Sequence, residues 1–348
     1  MAASTCSVNS AGRMALEDLV NTVLTGNYRV DSQIAKGGMG VVLAGTHVPS
    51  GDRVAIKVLT IPEDAPLGIR DRFLNEALAV AKLKNAHIAR FRDVGTLADG
   101  TPYIVMELLE GVDLAHVLEK TDRLLPDIAV DYILQACEAL SEAHSLGIVH
   151  RDIKPSNLFV ATRADGTQMV KVLDFGISRA PLGLSRLTSQ DTILGTPVYM
   201  APEQMKSARL ADARSDIWSL GAVLYELIEG LVPFDGDSYA ELCLRIAMDP
   251  PMSMIAPVQP GLERAIARCL AKDPTARWQH VGQLGRAIVP YARNLQQGWL
   301  RVTRIERHIE ANPGATLIKA EQEPPRGIAT LRMARARVTT PGMRKGTP

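Results

Sequence analysis

Apolar and polar positions first alternate in short runs and then settle into helical spacing. From Tyr28 the runs Tyr28-Arg29-Val30, Val41-Val42-Leu43 and Val54-Ala55-Ile56-Lys57-Val58 predict strands, separated by Gly-rich or polar turns such as Pro49-Ser50-Gly51-Asp52. Phe73, Glu76, Val80 and Leu83 then recur at helical intervals. Further strands follow, the last being Tyr103-Ile104-Val105-Met106-Glu107, and complete a small strand-rich lobe. Beyond it helix dominates. Pro126 and Asp127 open a helix whose Ala129, Ile133, Ala136, Leu140 and Ala143 share a face, and Gly147 ends it. Asp216–Glu229 is apolar nearly all round, as a central buried helix would be, and Gly230 stops it. Leu262–Leu270 and Val281–Ile288 read as further helices. Before Tyr28 the residues are small and polar, with one weak helical patch at Met14–Leu24. After Tyr291 the regular spacing weakens and Pro, Gly, Thr and Arg dominate.

A chain of 348 residues can hold two packed lobes, and its 46% hydrophobic and 22% charged content is that of a folded globular protein. The net charge of +1 conceals an asymmetry. Residues 28–290 carry 27 Lys/Arg against 32 Asp/Glu, a net of −5, whereas residues 291–348 carry 11 against 4, a net of +7. A basic tail thus follows a mildly acidic body. Such charge runs are usually solvated, so no nucleic-acid partner is expected. The four cysteines (Cys6, Cys137, Cys243, Cys269) are scattered and make no CxxC pair, which argues for reduced thiols in a cytoplasmic protein. The N-terminus lacks a signal-peptide pattern, and no apolar run reaches the roughly 18 residues of a transmembrane helix.

Candidate chemistry lies in several short segments. Ile34-Ala35-Lys36-Gly37-Gly38-Met39-Gly40-Val41-Val42 is a glycine-rich turn between two strands, where backbone N–H groups can approach phosphates closely. A dinucleotide fingerprint would need a helix after the turn, and a strand follows here instead. Lys57 lies inside an apolar strand, and burying an unpaired ammonium is costly. Glu76 on the next helix is its natural partner, against the plainer reading of Lys57 as a surface lysine. His150-Arg151-Asp152-Ile153-Lys154-Pro155-Ser156-Asn157 gathers a carboxylate, a cation and an amide within one loop. Asp152 can accept a hydroxyl proton, Lys154 can meet a moving phosphoryl group, and Asn157 can bind a cation. Asp174-Phe175-Gly176 follows strand Val170–Leu173 and adds another carboxylate. These oxygen donors suit Mg²⁺ or Mn²⁺ rather than zinc. His150 and Phe175 read as packing residues. Glu203, in Gly195-Thr196-Pro197-Val198-Tyr199-Met200-Ala201-Pro202-Glu203, needs a buried partner, and Arg277 is the candidate. Asp216 is placed to hold the backbone amides of the His150–Asn157 loop.

In this order and spacing the segments resemble the eukaryotic-type (Hanks-type) protein kinase family, over about three quarters of the chain. Gly37-Gly38-Met39-Gly40, Lys154-Pro155-Ser156-Asn157 and Ala201-Pro202-Glu203-Gln204 are most similar to its bacterial serine/threonine kinase branch. The resemblance implies an α+β, bilobal protein-kinase fold, with a small β-rich N-lobe (28–106) and a larger helical C-lobe (107–290). Residues 1–27 would be an extension and 291–348 a basic, largely disordered tail. It implies transfer of the ATP γ-phosphate to Ser/Thr hydroxyls of protein substrates, including autophosphorylation, with a back-to-back dimer on activation. Asp152, Lys154, Lys57 and Glu76 would be catalytic, and Asn157 and Asp174 would bind Mg²⁺. The nucleotide would lie among Ile34, Gly37, Gly38, Gly40, Val42, Ala55, Lys57, Met106, Glu107, Leu109, Asp113 and Phe159. Within that set Met106 is the gatekeeper, the backbones of Glu107 and Leu109 face adenine, and Asp113 reaches the ribose. Val42, Ala55 and Phe159 sandwich the ring. Two departures stand out: Ala35 replaces a glycine, and Asn85-Ala86-His87-Ile88 alters the loop after the Glu76 helix, away from the chemistry.

Two expectations concern regulation. In the family, Arg151 and Arg179 converge, and two guanidiniums together call for an anion. Thr188, eight residues before Thr196, would supply it once phosphorylated, with Thr192, Ser189 and then Ser185 as alternatives. If Asp191 satisfies the arginines instead, the kinase would be constitutively active. In the tail, Trp299, Val302, Ile305 and Ile309 recur at helical spacing with Arg301, Arg304 and Arg307 between them, until Asn312-Pro313-Gly314. That segment either docks on the acidic body or frays. Beyond Gly314 disorder is expected, with Thr339 and Thr340 as autophosphorylation candidates.

Overall fold

The alternating runs become a six-stranded antiparallel sheet. In the computed structural model, which describes residues 19–37, 40–60, 68–163, 165–175 and 197–312, its strands are β1 (Val23–Leu24), β2 (Tyr28–Gly37), β3 (Gly40–His47), β4 (Arg53–Leu59), β5 (Phe91–Thr96) and β6 (Pro102–Glu107). They lie in the order β1-β2-β3-β4-β6-β5. Register assigns the two faces. Val42 lies opposite Lys57, Ala44 opposite Ala55, Ala55 opposite Met106 and Lys57 opposite Ile104, so these residues share one face. Val41, Leu43, Val54, Ile56, Val58, Tyr103 and Val105 turn to the other and form a core with Leu19, Leu24 and Val30. Leu19 is fully buried there, so the packing of this lobe begins before residue 28. Val23–Leu24, in the expected helical patch, is a strand because it pairs with Tyr28 and Arg29; the patch before Leu19 lies outside the described residues. Helix α1 (Ile69–Val80) packs Phe73 and Ala77 on Leu59 and Ile104.

The second lobe is helical. A small antiparallel sheet of β7 (Gly111–Asp113), β8 (Leu158–Thr162) and β9 (Gln168–Val172) lies beside α2 (Leu114–Thr121) and α3 (Pro126–Ser145). After it come α4 (Pro202–Lys206), α5 (Ala213–Glu229), α6 (Tyr239–Met248), α7 (Pro260–Cys269) and α8 (Val281–Ile288). Helix α5 is buried nearly all round, as its sequence predicts. It opens at Ala213, ahead of Asp216, because the Asp212 side chain accepts the Arg214 N–H and caps it. Gly230 ends it at φ 78°, where a Cβ would come within 2.6 Å of the Asp122 carbonyl oxygen. The architecture is thus α+β and bilobal, with a β-rich N-lobe and a helical C-lobe.

Helix α9 (Leu295–Ala311) carries the amphipathic spacing of the tail. It runs along α3 with Val302 and Ile305 buried, so this part of the tail is a packed helix rather than a disordered extension. Gly298 lets α9 pass close to the turn after α8, since a Cβ there would meet Val289 Cγ2 at 2.7 Å. The physical reason is a matched pair of surfaces: an apolar stripe, and two arginines that reach Glu138 on α3. Residues after Asn312, with Thr339 and Thr340, lie outside the described residues. Among the described residues no helix is long and apolar enough to cross a membrane.

Candidate active site

The upper wall is the β2–β3 hairpin with β4. Gly37 pairs with Gly40 and Ala35 with Val42, so the glycine-rich turn is the tip of a hairpin; Gly38 lies outside the described residues. Gly40 is required by its surroundings: at φ 145° a Cβ would meet the Val58 carbonyl oxygen at 2.1 Å. Ile34 is 51% exposed, whereas Ala55 is buried beside Met106 on the cleft-facing side of the sheet. Lys57 emerges from that side and pairs with Asp174, Nζ to Oδ1 at 2.7 Å. This corrects the expected Lys57–Glu76 pair. Asp174, at φ 52° just after β9, turns its carboxylate up beneath β4, and the ammonium binds the carboxylate it reaches. Burial alone would raise the Asp174 pKa, but Lys57, with Lys154 further off, holds it below the usual value. Even so, 37% of its side-chain surface remains open.

The floor is the His150–Asn157 loop, which is cross-braced. Asn157 is buried, and its Nδ2 donates to the Asp152 carbonyl at 2.7 Å and to Asp152 Oδ2 at 3.1 Å. Lys154 Nζ lies 3.1 Å from the same Oδ2. The Asp152 N–H donates to His150 Nδ1, so the proton of that ring is on Nε2, which donates to the Leu173 carbonyl at 2.8 Å. Burial pushes the His150 pKa down and keeps the ring neutral, and it packs on Phe175 with centroids 4.7 Å apart. His150 and Phe175 are therefore packing residues. Beneath them the fully buried Asp216 accepts N–H groups from His150, Arg151 and His144 at 2.8–2.9 Å. Burial would raise its pKa, but these donors hold it below the ordinary aspartate value.

At the back, Met106 and Glu107 end β6, and Asp113, opposite Phe159, caps α2 through its contact with the His116 N–H. Leu109 lies in the connection between β6 and β7. Sequence reasoning missed Lys171, which pairs with the Glu107 carboxylate and donates to the Ile88 carbonyl, tying the back of the cleft to β9. Its position in a strand carried no motif. Asn85–Ile88 was also misjudged: Ile88 bridges to Val172, and the Val172 N–H donates to the His87 carbonyl at 2.8 Å, close to Asp174.

Arg277 grips Glu203 with both arms at 2.7 and 2.8 Å and is fully buried, which is the partnership the sequence suggested. Gln204 Nε2 donates to the Arg151 carbonyl and so joins α4 to the His150–Asn157 loop. Arg179, Thr188, Ser185, Ser189, Asp191 and Thr192 lie outside the described residues.

A lysine and a carboxylate facing each other across the cleft, above a braced Asp-Lys-Asn loop in a bilobal fold, are the arrangement of the protein kinase class. Residues 28–285 match the protein kinase domain family, and the chain belongs to it. It is 36% identical over 283 residues to the probable serine/threonine-protein kinase PknB of Corynebacterium glutamicum, covering 78% of this chain and 43% of that protein. Pkn1, a serine/threonine-protein kinase of Myxococcus xanthus, is 36% identical over 275 residues (78% and 39% covered). The serine/threonine-protein kinase PknA of Mycobacterium tuberculosis is 36% identical over 273 residues (77% and 62%). The chain spans between about two fifths and three fifths of the length of these curated relatives.

Proposed function

We propose that the protein transfers the γ-phosphate of ATP to serine and threonine hydroxyls of proteins, itself included, with Mg²⁺ as the metal. The carrying observation is the braced Asp152: one carboxylate oxygen is held by Lys154 and Asn157, and its backbone N–H by neutral His150. Phosphoryl transfer asks for positioning and charge more than covalent chemistry. Asp152 accepts the proton of the incoming hydroxyl, and Lys154 neutralises charge on the moving phosphoryl group. Lys57, held in the cleft by Asp174, is the cation that meets the nucleotide phosphates.

The donor chemistry fits a nucleotide-bound Mg²⁺. Asn157 commits Nδ2 to Asp152 and so presents Oδ1, and Asp174 stays ionised. Among the described residues there is no cluster of three or more His, Cys, Asp or Glu to cage a metal, in keeping with an ion that takes its other ligands from phosphates and water. Bound there, Mg²⁺ would offset phosphate charge. Gly37, Gly38, Gly40, Val42, Ala55, Met106, Glu107, Leu109, Asp113 and Phe159 form the nucleotide site. The buried Arg151 Nε, without a hydrogen-bond partner among the described residues, supports Thr188 phosphorylation as the activating event. The free thiols Cys137, Cys243 and Cys269 support a cytoplasmic setting. A back-to-back dimer on activation rests on the family resemblance alone.

Incubating the protein with Mg·ATP and mapping phosphosites by mass spectrometry tests the reading. Phosphoserine and phosphothreonine, with Thr188 among them, are the expected products. Absence of transfer to the protein itself and to a basic test protein would overturn it.

A further inference from the structure

Two features stand outside this machinery: the loop Lys84–Ala89, which departs from the family pattern, and helix α9, which follows the last family-matched residue. The fold joins them. Arg301 Nη1 donates to Glu138 Oε2 at 3.0 Å and also to His87 Nε2. Neighbouring Arg304 grips the same Glu138 with two arms, at 2.6 and 3.1 Å, and its hydrogen bonds among the described residues go nowhere else. Burial would raise the Glu138 pKa, but Arg304 and its companions hold it low. Arg304 alone is thus enough to neutralise this carboxylate. A second guanidinium repels the first and is itself disfavoured by burial, so its place calls for another reason. His87 is that reason.

His87 is buried, and its Nδ1 faces the Val170 carbonyl at 2.8 Å. The proton therefore sits on Nδ1, leaving Nε2 to accept from Arg301. Burial and then the Arg301 charge push its pKa down to about 4, so the ring is neutral at pH 7. The loop backbone brackets Val172: the Val172 N–H donates to the His87 carbonyl at 2.8 Å and the Ala89 N–H to the Val172 carbonyl at 3.1 Å. Asn85 and Glu142 brace the other side of the loop. The loop thus connects the end of α1, which carries Glu76, to the strand that leads into Asp174.

We propose that Arg301 is a positioning residue: acting through His87, it seats the Lys84–Ala89 loop on β9 and fixes the approach of Asp174 and of α1 to the nucleotide. This rests on the kinase reading, and the test separates the two. In the full chain, Arg301→Met keeps the aliphatic stem and removes both contacts, whereas Arg304→Met removes Glu138 contacts only. Arg301→Met should raise the KM for Mg·ATP about threefold to tenfold, the size of such couplings. It should also speed hydrogen exchange at the Val172 and Ala89 amides. Arg304→Met should lower the melting temperature to a similar degree while both readouts stay at wild type, and Arg301→Lys should fall in between. If Arg301→Met does not fold, Arg301→Lys carries the test with the same readouts. Equal shifts in the Arg301 and Arg304 variants, or wild-type exchange and KM in the Arg301 variant, would overturn the proposal. Hydrogen exchange needs no turnover, so a wild type unable to transfer phosphate would sink the kinase reading while exchange still decided this one.

Discussion

The two walls of the cleft are built on opposite principles. The floor, from His150 to Asn157, is mostly buried or half-buried and is braced from three sides, by Asp216, by Leu173 and by Gln204. The roof, the β2–β3 hairpin, is open on the strand leading to its turn: Lys36 is exposed, and among the described residues nothing lies within 4 Å of a Cβ placed on Gly37. A proton acceptor must be held within tenths of an ångström, whereas a nucleotide must enter and leave. Rigidity is therefore concentrated where the chemistry is proposed to occur, and freedom where the ligand passes.

The sharpest test of that contrast is Asp152→Asn, which keeps the shape of the floor and removes its proposed base. Transfer should fall about 10²- to 10⁴-fold while the KM for ATP and the melting temperature hold. A variant that autophosphorylated at the wild-type rate would end the assignment. Next in size is Arg277→Met, which strands the Glu203 carboxylate of α4. Breaking a buried pair of this kind costs about 3–5 kcal/mol, so urea denaturation should show a large loss of stability; a loss below about 1 kcal/mol would contradict the burial argument.

Asp216→Asn probes the braces below the loop. The wild-type carboxyl has a folded pKa below the unfolded aspartate value of about 4. Its contribution is complete above the unfolded value and is lost as pH falls through the lowered folded value. The variant should thus be less stable than wild type at pH 7, by about 1–3 kcal/mol, and the gap should shrink below about pH 4. A gap independent of pH would mean that the charge is irrelevant.

The smallest effects belong to the roof. Gly40→Ala must relieve both a positive φ and the contact with the Val58 carbonyl, and should cost about 1–3 kcal/mol and weaken nucleotide binding. Gly37→Ala, in open space, should change stability by no more than about 0.5 kcal/mol. Equal melting temperatures for the two would show that the hairpin tip is not held as described.

Much of the floor was legible because it is local. Asp152, Lys154 and Asn157 lie within one loop, and their contacts with one another span at most five residues. The Glu203–Arg277 pair was also legible, although it joins residues 74 apart, because a buried charge demands an opposite one and few candidates were on offer. Lys57 was read as needing a partner, yet the partner was misassigned. Glu76 and Asp174 both satisfy the demand for charge, and only distance chooses between them. Lys171 gave no signal, and His87 and Arg301 stood out only as members of an atypical loop and a basic helix, since a lysine in a strand or an arginine on such a helix has a sufficient solvated explanation.

Strand alternation, the faces of α3 and α9, the stop at Gly230 and the Asp-Lys-Asn loop were determined by sequence alone, because each depends on neighbours a few residues away. The Lys57–Asp174 pair, the burial of Leu19 in the N-lobe, the docking of α9 on α3 and the contact from Arg301 to His87 were decided only by tertiary structure. Those contacts join residues far apart in the chain, and an electrostatic or packing partner is chosen by distance and desolvation after the chain has folded, neither of which a linear pattern records.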